Sequence, residues 1–160
     1  MPSIVPCLWF DMTAEEAADF YCSIFPNSRI ISQQISPMDN PSQQAGNVLT
    51  VEFELDGNSY TALNGGPHFQ FNEAISFQID CTTQDEVDHY WNSLTDGGEE
   101  SECGWLKDRY GVSWQVVPRR LIELMSHPDP EVAKRTGEAM LTMKKLSIPD
   151  LERAAFNTGQ

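Results

Sequence analysis

The sequence predicts an α+β fold: two β-α-β-β-β modules in tandem, followed by a helical extension at the C-terminus. Three observations carry this. Residues 79–90, "IDCTTQDEVDHY", repeat residues 10–21, "FDMTAEEAADFY", at an offset of 69, with Asp11 on Asp80, Thr13 on Thr82, Asp19 on Asp88 and Tyr21 on Tyr90. Each copy passes from period-2 apolar alternation to helical spacing, the mark of a strand that feeds a helix. From Pro118 onward only helical patterns remain. One such module covers one sheet face with its helix and leaves the other face to find a partner. The 160 residues are therefore expected to form a single domain over 1–160.

In the first module, residues 3–66, "IVPCLWF" reads as a strand. Thr13 follows as N-cap, with Glu16 completing a capping box. Ala17, Phe20, Tyr21, Ile24 and Phe25 recur at helical spacing, and Pro26-Asn27 stops the helix. Residues 28–36 form a second strand; a polar loop leads to "VLTVEFEL", and "DGN" turns it back into "SYTALN". The linker "GGPHFQFNE" precedes the second module, residues 73–118. "AISFQID" is its first strand, Thr82 its N-cap with Asp85 at the box position, and Val87, Tyr90, Trp91 and Leu94 its buried stripe. "DGGEE" turns the chain, and "SECGWLKD" and "GVSWQVVP" are strands about the turn "RYG". In the extension, residues 119–158, "RRLIELM" is a short amphipathic segment. Asp129-Pro130 caps a helix through about Lys144, and "SIPD" opens a last one through Ala155. Gly159-Gln160 is expected to fray.

Composition narrows the function classes. A net charge of −14 argues against nucleic acid and against anionic membrane surfaces, both of which need clustered Lys and Arg. No apolar run approaches the ~20 residues of a membrane span, and "MPSIVPCLWF" lacks the charged start of a signal peptide. Cys7, Cys22, Cys81 and Cys103 are widely spaced, which reads as reduced thiols in a cytoplasmic protein. The charge is uneven. Residues 1–106 hold one basic residue, Arg29, against 17 acids, whereas residues 107–160 hold nine basic residues against seven acids. Lys107, Arg109, Arg119 and Arg120 crowd one segment, either to meet an anionic ligand or to pair with the acidic body.

Strand alternation assigns faces. Ile75, Phe77 and Ile79 point towards the helix of their module, as do Val112, Trp114 and Val116. Ser76, Gln78, Ser113 and Gln115 point away. In the first module Tyr60 and Ala62 go under the helix, while Val5, Cys7, Trp9, Ser59, Thr61 and Leu63 face away. This second face is polar but nearly uncharged, unlike a solvent face carrying Glu52 and Glu54. It suits a small-molecule site in which an indole stacks and amides orient the ligand. The ligand is placed against Cys7, Trp9, Thr61, Ser76 and Gln78, with Ser113 and Gln115 beside them and Asn64, His68 and Trp105 near the rim. His68 is the single candidate for a general base, because an imidazole titrates near neutrality. His89 and His127 read as structural and loop residues.

The blocks "FDMTAEEAADFYCSIFPNSRI", "TALNGGPHFQFNEAISFQIDC", "CGWLKDRYGVSWQVVPRRL" and "AMLTMKKLSIPDLERA" resemble the PhnB-like family, catalogued as a demethylubiquinone methyltransferase, from about residue 3 to residue 156. That family lies within the vicinal oxygen chelate superfamily of glyoxalases, dioxygenases and bleomycin and fosfomycin resistance proteins. The resemblance implies the glyoxalase/bleomycin-resistance fold, in which two modules build a curved mixed sheet around a cleft, and it implies a homodimer. The catalytic relatives hold a divalent metal on inward positions of the first and fourth strand of each module. Here those positions fall on Val5, Thr61, Ala74 and Gln115, too few donors for a metal. An improvised set of His68, Cys7 and Cys103 near Gln115 is the remaining metal candidate. Methyl transfer finds no support in the residues, because "NGG" and "DGG" precede a linker and a strand rather than a nucleotide-cradling helix. The expectation is a small-molecule-binding protein without cofactor; the alternative is a lyase, isomerase or dioxygenase of the same superfamily.

Overall fold

The computed structural model describes residues 2–158, so the fraying expected of Gly159-Gln160 lies outside it. The chain divides into two compact units, Met1–Phe71 and Asn72–Gln160. The first runs β1 (Cys7–Phe10), α1 (Ala14–Ile24), β2 (Arg29–Ile35), β3 (Val48–Leu55) and β4 (Asn58–Asn64). Its sheet has the order β1-β4-β3-β2, with β1 parallel to β4 and the other pairs antiparallel. Ala14, Ala17 and Ala18 are fully buried, and their small side chains let α1 lie close on the sheet. Tyr21 stacks on Phe53 at 6.2 Å between ring centroids, and Phe53 on Tyr60 at 5.4 Å.

β1 starts at Cys7, later than the strand expected from residue 4: Ile4 is almost fully exposed and Pro6 has no N–H for a ladder. Thr13 is the N-cap of α1, but its side chain makes no capping bond. Asn64, at the end of β4, caps instead: its Oδ1 accepts from Ala14 N at 2.8 Å, and its Nδ2 donates to Glu15 Oε1 and to Val48 O. The helix start is thus tied to two strands that are distant in sequence.

The second unit runs β5 (Ser76–Cys81), α2 (Gln84–Thr95), β6 (Glu99–Glu100), β7 (Trp105–Lys107) and β8 (Ser113–Pro118), then α3 (Arg119–Met125), α4 (Pro130–Met140) and α5 (Ile148–Phe156). The sheet order is β5-β8-β7-β6, with β5 parallel to β8, so both sheets are mixed and the protein is α+β with C-terminal helices, as expected. Several boundaries move. Ile75 is exposed and precedes β5 rather than packing under the helix. The N-cap of α2 is Thr83, not Thr82; its side chain accepts from Glu86 N, while Thr82 N donates to Glu86 Oε2. Glu99-Glu100, expected in a turn, forms β6, and "SECGWLKD" breaks at residues 101–104. There Cys103 and Gly104 take positive φ, and their amides donate to Met143 O and Lys144 O. α4 ends at Met140 instead of continuing to Lys144: Leu141 N still donates to Gly137 O, but Thr142 N and Met143 N donate to Ala139 O and Met140 O, three residues back, so the helix tightens into a turn. The three tail helices close their own core with the end of β8 through Val117, Leu121, Leu124, Leu146 and Leu151.

The duplication is real in architecture, but its register is not 69. Phe10, paired with Asn64, corresponds to Cys81, paired with Pro118, a shift of 71; the helix starts, Ala14 and Gln84, are 70 apart. Asp11 lies beyond β1 whereas Asp80 lies inside β5, so the matching letters occupy different structural positions.

Candidate functional site

Residues directly paired across a ladder project on the same sheet face. In the first unit one row away from α1 is Cys7, Thr61, Glu52 and Ser32, and the next is Trp9, Leu63, Thr50 and Gln34. Glu52 therefore shares the face of Thr61, and Glu54 that of Ser59, which corrects the expectation of an uncharged face in this unit. Trp9 is rigidly held. Its Nε1 donates to Gly66 O at 2.8 Å, Phe69 meets it edge-on at 4.9 Å, and Gly65 lies so close that a Cβ there would stand 2.3 Å from Trp9 Cε2. The loop "GGPHF" thus folds back on the indole. Asn64, assigned to a rim, is buried with its amide committed to the cap. His68 is exposed in the turn before Phe69. Cys7 is exposed as a residue, yet desolvation of its sulfur against the sheet still raises the thiol above its ordinary value.

The second unit repeats the arrangement with different chemistry. One row is Glu99, Lys107, Ser113 and Ser76; the next is Trp105, Gln115 and Gln78; Val117 pairs with Asp80 beyond them. The structure thereby brings Ser76, Gln78, Ser113 and Gln115 together on the face that alternation predicts for them, and adds Trp105, expected near the rim, to the row of Gln115. Gln115 Nε2 donates to Ser76 Oγ at 2.9 Å, and Gln78 Nε2 to Asp80 Oδ1 at 2.9 Å. Because a carboxylate accepts and cannot donate, Asp80 fixes which end of the Gln78 amide turns towards it. Two depressions border this face. One, of about 140 Å³, is lined by Glu73, Glu99, Trp105, Lys107 and Ser113 among others. The other, an open groove of about 550 Å³, is lined by Gln78, Asp80, Arg119, Ile122, Glu123 and Ser126.

Sequence reading missed three charged residues here: Asp80, which continues the alternation of Ser76 and Gln78 along β5, Glu99 in the two-residue β6, and Glu73, which precedes β5; the last two lie where alternation gives no signal. Two residues of the basic segment pair with the acidic body, Lys107 with Glu73 and Arg109 with Asp96, while Arg120 pairs within the C-terminal part with Glu123 and Glu152. The hydrogen bond from Lys107 holds the Glu73 carboxyl below its usual range and in turn raises Lys107. Arg119 makes no ion pair among the described residues and lines the larger groove. Asp108 was also missed. It is buried, takes the amides of Tyr110 and Val112 and the indole N–H of Trp114, and so organises the turn before β8.

The donor set does not fit the superfamily's divalent metal. Val5 and Ala74 precede the ladders; opposite Thr61 stands Cys7, and opposite Gln115 stands Gln78. A thiol raised by desolvation, a hydroxyl and two amides make a poor set for a divalent ion. Among the described residues no three His, Cys, Asp or Glu side chains are grouped to hold a metal. Nor do the residues fit an adenosylmethionine cradle. The strand-to-helix links are Asp11-Met12-Thr13 and Thr82-Thr83, without glycine, and the first is already capped by Asn64. No helix among the described residues is long and apolar enough to cross a membrane.

Residues 2–117 match the family model described as 3-demethylubiquinone-9 3-methyltransferase, so the match stops short of residue 156 and leaves the tail helices out. A PhnB protein from Bacillus cereus is 31% identical, with a TM-score of 0.66 over 73% of this chain and 99% of that one. Protein PA1353 from Pseudomonas aeruginosa shares the fold at 19% identity and a TM-score of 0.60, over 74% of this chain and 98% of that one. The fosfomycin resistance protein FosX from Listeria monocytogenes, complexed with Mn(II) and sulfate, shares it at 14% identity and a TM-score of 0.51, over 73% and 89%. No curated protein sequence matches the chain. With the family match spanning most of its length and two mixed four-stranded sheets of the glyoxalase/bleomycin-resistance kind, the chain belongs to the 3-demethylubiquinone-9 3-methyltransferase family, a PhnB-like member of the vicinal oxygen chelate superfamily.

Proposed function

We propose that this protein binds a small molecule on the polar outer faces of its sheets, without the superfamily's metal and without methyl transfer, and that it works as a homodimer. The row Trp105, Gln115 and Gln78 carries the reading: one ring and two amides stand in register on one face of the second sheet. A ring supplies stacking area and amides supply direction, the usual division of labour in a small-molecule site. The rigid Trp9 on the face of the first sheet supports the same reading. Thermal-shift screening of small polar metabolites against wild type and Gln115→Leu tests it. The expected result is a compound that raises the wild-type Tm and binds the variant at least about tenfold more weakly, since one buried hydrogen bond to a charged group is worth about 1.5–3 kcal/mol. Equal stabilisation of both proteins by every compound removes the site. Stoichiometric Mn, Zn, Ni or Fe in the purified protein would instead favour lyase, isomerase or dioxygenase chemistry.

A further inference from the structure

We propose that the depression at the β6–β7 edge of the second sheet is a subsite for a small primary ammonium group, held by Ser113, Glu99 and the ring of Trp105. The inference rests on the small-molecule reading above and adds the charge class of the ligand. Ser113 Oγ is its starting point. The residue is 1% exposed, its hydroxyl has no hydrogen-bond partner, and it lines this depression. Buried hydroxyls are almost always bonded, so an orphan one that borders a hollow marks a place where something else binds. The volume of about 140 Å³ is several times that of one water, roughly 30 Å³, and admits a small head group.

Charge selects the head group. Three carboxylates and one ammonium line the hollow. Lys107 is taken by Glu73, and Glu100 Oε1 accepts from Trp91 Nε1 at 3.0 Å. The Glu99 carboxylate makes no side-chain hydrogen bond or ion pair among the described residues; it stands in one row with Lys107 and Ser113 and acts on the Lys107 ammonium only through its charge. An anion entering here meets surplus negative charge, whereas a cation gains a carboxylate. Trp105 occupies the adjacent row, and an indole face attracts an ammonium group. A primary ammonium has three donors, enough for a hydroxyl, a carboxylate and one more acceptor.

The test uses the full chain at low ionic strength, with ethylammonium, ethanol and acetate as probes of similar size and different charge, read on the Trp105 indole N–H by NMR. Ethylammonium alone is expected to shift that resonance, with an affinity that falls about tenfold in Ser113→Ala and in Glu99→Gln and declines as salt is added. The Tm of ligand-free Ser113→Ala is expected to stay level or rise, because no bond is lost, so weaker binding would not reflect misfolding. Ethanol or acetate shifting Trp105 as strongly as ethylammonium, or ethylammonium binding that ignores both substitutions, overturns the proposal. A screening hit that depends on Gln115 but is neutral or anionic sinks the charge class and leaves the binding reading standing. No binding by any compound of any charge sinks both.

Discussion

Asn64 shows how much one side chain decides. Its amide joins the start of α1 to β3 while buried, and no alternation pattern distinguishes it from a rim residue. Asn64→Ala leaves a helix N–H and a strand carbonyl unpaired, so chemical denaturation is expected to show a loss of about 2–4 kcal/mol, the sum of a lost cap and an exposed desolvation cost. Asn64→Asp keeps the acceptor for Ala14 N but sets a carboxylate against Glu15 and Val48 O, and is expected to recover less than half of that loss. Cys81 offers a second check. Burial first, then the charges of Glu86 and Asp80, push its thiol up to about 12. At pH 8 it is therefore expected to resist iodoacetamide in the folded protein and to react once urea unfolds it, as read by mass spectrometry.

At the scale of elements, the tail is latched to the second module by Gln84 in the first turn of α2. Its Oε1 accepts from Ile148 N at 2.8 Å, and its Nε2 donates to Leu146 O and to Asp88 Oδ1, which also receives Lys145. One glutamine thus orients the start of α5 while Leu146 and Leu151 fill the tail core. Gln84→Ala is expected to cost about 1–3 kcal/mol and to raise amide exchange over residues 146–156 before the sheets loosen. Uniform exchange in all elements would show that the tail is held by its core alone. The turn at residues 101–104 has the same character: its geometry comes from Met143 and Lys144 carbonyls far along the chain.

Across the whole molecule, acidity sets the conditions under which the fold is held. The carboxyl of Glu73 is lowered by its bond to Lys107, and that of Asp88 by Gln84 and then Lys145. A carboxyl lowered on folding stabilises the native state above its unfolded value, and that contribution is lost as pH falls through the lowered one. Lys107 is raised, so its share is present below the ordinary lysine value and lost as pH climbs through the raised one. The Glu73–Lys107 pair therefore acts between roughly pH 5 and pH 10. Lys107→Met and Lys145→Met are expected to lower the Tm modestly at pH 7 and hardly at all near pH 2. An equal loss at both pH values would assign the effect to packing of the lysine stems.

Composition and periodicity sufficed for the class of fold, the doubling of the β-α-β-β-β unit, the strands from "VLTVEFEL" to "SYTALN", and the outward row of Ser76, Gln78, Ser113 and Gln115. Each of these depends on near neighbours in the chain, and alternation along a strand is a local property. Tertiary pairing decided the rest. It set the true register between copies, put Glu52 on the face of Thr61, chose Asn64 over Thr13 as the cap, and tied the amides of Cys103 and Gly104 to the carbonyls of Met143 and Lys144. It also isolated the Ser113 hydroxyl beside Glu99 and Trp105. These outcomes turn on which distant backbone and side-chain groups satisfy one another, and a burial pattern read along one strand carries no information about its partner.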